Sequence, residues 1–72
     1  MNLNKLKGLR VEKGYIQEDI AKLIGMSLTS YQRKESGATQ FTANELIRIA
    51  EVLKIDISEI FFTYEVPKRD KE

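Results

Sequence analysis

Read as apolar and polar positions, the chain divides into five short helical segments punctuated by glycines and capping residues. Leu3, Leu6, Leu9 and Arg10 recur at helical spacing, and Gly14 follows Glu12-Lys13, which predicts a first helix from about Asn4 to Lys13. Gly8 within it reads as a tolerated exposed glycine, costing about 1 kcal/mol relative to alanine. Ile20, Leu23 and Ile24 predict a second helix over 17–24, closed by Gly25, with Glu18 and Asp19 in the first turn, where the helix dipole favours acids. A third helix opens at the Ser27 cap and runs to about Ser36, before Gly37. Thr42-Ala43-Asn44-Glu45 has the form of a capping box and opens a fourth helix, with Leu46, Ile49, Ala50 and Leu53 as its apolar face. Asp56 and Glu59 repeat that spacing and start a short fifth helix through Phe61. Phe62, Thr63, Tyr64, Glu65 and Val66 then alternate with period two, as a short β-strand does, until Pro67 and the charged KRDKE tail. The expectation is an all-α domain over residues 1–62, with an extension over 63–72 that holds the strand and the tail.

The third segment breaks the apolar rule. Between Gly25 and Gly37 only Leu28 and Tyr31 are clearly apolar among the helical positions, so the buried stripe is narrow. The polar face is either a solvated connector or a working surface. The second and third helices with the turn at Gly25-Met26 meet the demands of a helix-turn-helix unit. Ala21 is the small residue that a steep crossing needs, Gly25 tolerates the left-handed turn, and Tyr31 is an apolar anchor facing Ile20 and Ile24.

Composition removes most chemistry from consideration. Among 72 residues there is no cysteine and no histidine, so disulfides, thiolate zinc sites and imidazole bases are absent. The carboxylates lack the spacing of a calcium loop. No catalytic residue, metal, cofactor or enzymatic activity is therefore expected. The apolar runs are too short for a membrane span or a secretory leader, and a cytoplasmic setting is expected. The net charge is only +1, but it is unevenly spread. Lys5, Lys7, Arg10 and Lys13 against Glu12 give residues 1–14 a charge of +3, whereas residues 38–66 carry −3. A basic front face fits a polyanionic partner, and ordinary surface scatter produces the same pattern.

The run from Leu6 to Phe61 resembles the Xre/Cro-repressor helix-turn-helix family, relatives of phage repressors. The matching text is LKGLRVEKGYIQEDIAKLIGMS, the ESG ending of the third helix, and TANELIRIAEVLKIDISEIF. The resemblance implies a compact five-helix, lambda-repressor-like fold whose third helix enters the major groove of double-stranded DNA. Its base-reading positions fall on Leu28, Thr29, Gln32 and Arg33, with Ser27 at the cap. Arg33 suits a bidentate contact to guanine, Leu28 and the Thr29 methyl suit thymine methyls, and Gln32 suits adenine or a phosphate. Leu28 folded back onto the core is the alternative reading of that residue. Gln17 matches a phosphate-holding position, and the start of the fourth helix, with Asn44, is a second backbone anchor. Thr39, Lys7 and Lys13 are further phosphate candidates. Arg10 and Glu35 match a structural ion pair joining the first helix to the end of the third.

Three departures stand out. Ile16 occupies the cap of the second helix, where the family usually has Ser or Thr. Lys34 stands late in the third helix where the family often has Trp, Tyr or another apolar residue, with its stem expected to pack and its ammonium to reach solvent. Ala38-Thr39-Gln40-Phe41 replaces a stretch that is often basic, which implies weak DNA binding by a monomer. A single domain reads one half-site, so a homodimer on a palindromic operator is expected, with half-sites ~34 Å apart. Phe61, Phe62, Tyr64 and Val66 are the expected dimerisation residues, unless the aromatics close the chain's own core. The functional reading is a sequence-specific transcriptional regulator, a repressor or Cro-like switch. An antitoxin-like protein with a toxin partner, and an interaction module with weakened DNA binding, are the alternatives.

Overall fold

The computed structural model describes residues 1–61 and comprises five helices: α1 Leu3–Glu12, α2 Gln17–Leu23, α3 Leu28–Glu35, α4 Ala43–Leu53 and α5 Ser58–Phe61. No strand occurs among the described residues, and no helix among them is long and apolar enough to cross a membrane. The expected strand lies outside them, as do Phe62, Tyr64 and Val66 and the side chain of Phe61.

Local chemistry places each boundary. Asn2, not predicted as a cap, accepts the Lys5 amide at 2.9 Å and starts α1 one residue early. Lys13, Ile24 and Ser36, expected inside helices, are C-caps. Ile16 has no oxygen with which to cap α2, so only half of the reciprocal arrangement forms: Asp19 Oδ2 accepts the Ile16 amide at 3.2 Å. Thr42 and Glu45 complete the box of α4, each side chain accepting the other's backbone amide, at 3.1 and 2.8 Å. That helix ends without a glycine, on Lys54 in the left-handed region (φ 58°).

Every helix contributes to one core of Leu6, Leu9, Ile20, Ala21, Ile24, Tyr31, Leu46, Ile49, Leu53 and Ile60. α1 packs on α3 and α5, and α2 packs on α3 and α4. The Asn2 amide donates to the Ile60 carbonyl at 3.1 Å, joining the start of α1 to α5. Phe41 meets the Tyr31 ring edge-on, with centroids 5.7 Å apart, so the α3–α4 connection is also tied to the core.

Candidate nucleic-acid interface

The turn between α2 and α3 follows from Gly25. Its φ of 77° lets the Met26 amide reach the Ala21 carbonyl at 2.8 Å and its own amide reach Lys22 at 3.2 Å. Ala21 is buried at the crossing, as the sequence implied. Arg48 of α4 donates to the Ile24 carbonyl at 3.2 Å and holds the turn from behind. Sequence reasoning missed Arg48, because its acceptor is a backbone atom 24 residues away.

The inner face of α3 is fixed by a buried polar cluster. Tyr31 and Glu35 are its buried residues. Glu35 accepts from Arg10 Nε at 2.9 Å and Nη2 at 3.3 Å, from the Tyr31 hydroxyl at 2.7 Å and from Gln17 Nε2 at 2.8 Å. Arg10 Nη1 donates to the Tyr15 carbonyl at 2.7 Å. The expected Arg10–Glu35 pair is therefore present and satisfied, as a buried ion pair must be. Burial pushes the Glu35 carboxyl upward, but the hydrogen bonds from Arg10, Tyr31 and Gln17 outweigh it and hold the group below its ordinary range. The Tyr31 phenol is pushed up, first by burial and then by the Glu35 carboxylate that it donates to.

The outer face of α3 carries Leu28, Thr29, Gln32 and Arg33, all exposed, with Leu28–Gln32, Thr29–Gln32 and Thr29–Arg33 at the three- and four-residue spacings that share a helix face. Ser27 caps the helix by accepting the Ser30 amide at 3.1 Å. Leu28 is 38% exposed and is not among the core residues. Arg33 forms no ion pair among the described residues, whereas its carbonyl accepts the Ala38 and Thr39 amides and closes the C-terminal end of α3. Gln32 Nε2 donates to Gln17 Oε1 at 3.2 Å. Each amide carries two hydrogens, so Gln32 keeps one donor and its acceptor oxygen, the pair that adenine requires. Gln17 bridges Glu35 to Gln32 and keeps one amide hydrogen uncommitted by these two bonds.

The helix-turn-helix family profile matches residues 6–60 of the 72. The chain belongs to this family, of the Xre and lambda-repressor type. It is also similar to the cryptic phage CTXphi transcriptional repressor RstR of Vibrio cholerae serotype O1 (strain ATCC 39315 / El Tor Inaba N16961), with 46% identity over 44 residues. That stretch is 61% of this chain and 39% of the relative. No solved structure matches the chain.

Within this helix-turn-helix domain the remaining expected residues are dispersed. Lys7 is exposed and lines a shallow cleft with Asn4, Glu35 and Ser36 at the C-terminal end of α3. Lys13 is the exposed C-cap of α1. Thr39 is half-buried, and its amide donates to the Arg33 carbonyl at 3.2 Å. Asn44 is exposed in the first turn of α4, where the Ala43 and Asn44 amides have no partner within the helix.

Lys34 differs from its expected solvent-reaching pose. Its ammonium lies 2.8 and 2.9 Å from the two Glu45 oxygens, with the side chains 17% and 21% exposed. Burial pushes the Glu45 carboxyl up, yet the Lys34 and Thr42 hydrogen bonds outweigh it and hold the group low. Lys34 thus ties α3 to the cap of α4.

Proposed function

We propose that the protein is a sequence-specific, double-stranded-DNA-binding transcriptional regulator of the repressor or Cro type, acting in the cytoplasm. It places α3 in the major groove and binds a palindromic operator as a two-fold homodimer. The observation that carries this reading is the division of α3. Its inner face is held by the Glu35 cluster, and its outer face presents Leu28, Thr29, Gln32 and Arg33 with none of them in the core. A helix that merely connected two others would not need four hydrogen bonds to fix its roll. Similarity to a phage transcriptional repressor supports the same reading.

Arg33 reads guanine, Gln32, oriented by Gln17, reads adenine, and Leu28 with Thr29 packs on thymine methyls. Phosphates are held by Gln17 and by the first turn of α4 near Asn44, with Lys7, Lys13 and Thr39 at the margins. The test is a gel-shift titration against duplexes selected from a randomised pool, at two salt concentrations. Salt-sensitive binding to a palindrome is the expected result. Weak binding indifferent to sequence would overturn it.

A further inference from the structure

Lys34 is absent from the DNA contacts just assigned, although it lies next to Arg33 on the same helix. A basic residue on a recognition helix is ordinarily read as a phosphate contact. Here both carboxylate oxygens of Glu45 sit within 2.9 Å of its ammonium. Glu45 in turn accepts the Thr42 amide at 2.8 Å, while its own amide donates to Thr42. One carboxylate therefore closes the α4 cap and holds the α3 ammonium together. The pair spans the connection of residues 36–42, which is otherwise fastened by the Phe41 ring against Tyr31 and by the Ala38 and Thr39 amides on Arg33.

From this geometry we propose that Lys34 and Glu45 are a positioning pair that sets the offset between the base-reading face of α3 and the start of α4. Lys34 thereby contributes to DNA affinity without touching DNA. The inference rests on the regulator reading above. Two surfaces engaging one duplex gain from a fixed spacing, because a looser connection adds ordering entropy to every binding event. The ion pair provides the fixing in a place where an apolar side chain would leave Glu45 engaged with Thr42 alone.

The test is a double-mutant cycle with Lys34→Met, which keeps an unbranched stem, and Glu45→Gln, which keeps a capping-box acceptor. Binding is measured well below the melting midpoints, on a duplex that the parent selects from a randomised 30-bp pool. Each single variant is expected to bind roughly fivefold more weakly, and the double variant no more weakly than either. The slope of affinity against salt stays at the parent's value. A slope reduced by about one for Lys34→Met, together with tighter binding by Glu45→Gln, would identify a phosphate contact and overturn the proposal. Unchanged affinity with only a shifted melting midpoint would leave a purely structural pair and overturn it equally. A parent that selects no duplex would overturn the regulator reading itself.

Discussion

Glu35 and Lys34 are neighbours on α3, yet the fold treats them differently. Glu35 lies in the interior and accepts from three side chains, whereas Lys34 sits at the edge with one carboxylate partner. Burying a charge is tolerable only when its partners are in place, so removing one member of the interior pair should be costly. The edge pair keeps partial contact with water, which screens it, so its loss should cost little stability.

The largest effect expected from breaking this contrast is Glu35→Ala, which strands the Arg10 charge and should cost about 3–5 kcal/mol by urea unfolding. Loss of under about 1 kcal/mol would mean that the cluster does not organise α3. Acid probes the same group without mutation. The folded-state carboxyl of Glu35 is held below its unfolded value, so its contribution is full above the ordinary carboxylate range. It fades as the pH falls through that lowered value, and the Glu35→Gln variant should show a flatter decline in melting midpoint over that span. Tyr31→Phe removes one donor to Glu35 and should cost about 1–2 kcal/mol, less than losing the carboxylate. Lys34→Met should change stability by less than about 1 kcal/mol. Arg33→Ala, on the outer face, should lie within about 0.5 kcal/mol of the parent.

What the sequence made legible was local. Gly25, Ser27 and the Thr42–Glu45 box act within a few residues of themselves, and their roles can be read from spacing. The Arg10–Glu35 pair was legible through family resemblance, since 25 residues separate its members. The Asn2 cap of α1 is equally local, since its Lys5 partner is only three positions on, but the leucine spacing by itself does not carry it. Lys34 with Glu45 and Arg48 with the Ile24 carbonyl could not be read, since their distances depend on how α3 and α4 pack. The same holds for Gln17, assigned to a phosphate on resemblance, whose bridge between Glu35 and Gln32 exists only once α2 crosses α3. Lys54 takes a left-handed φ without glycine, so the end of α4 carried no composition signal.

The central claim is that the outer face of α3 reads bases, and the base-preference profile of Arg33→Ala beside the parent tests it most directly. Both proteins would be taken through the same randomised duplex pool, with melting midpoints measured in parallel. The predicted result is an unchanged midpoint and loss of discrimination at one guanine position per half-site, by about 1–3 kcal/mol, roughly five- to 150-fold. A profile superimposable on the parent's would contradict the account.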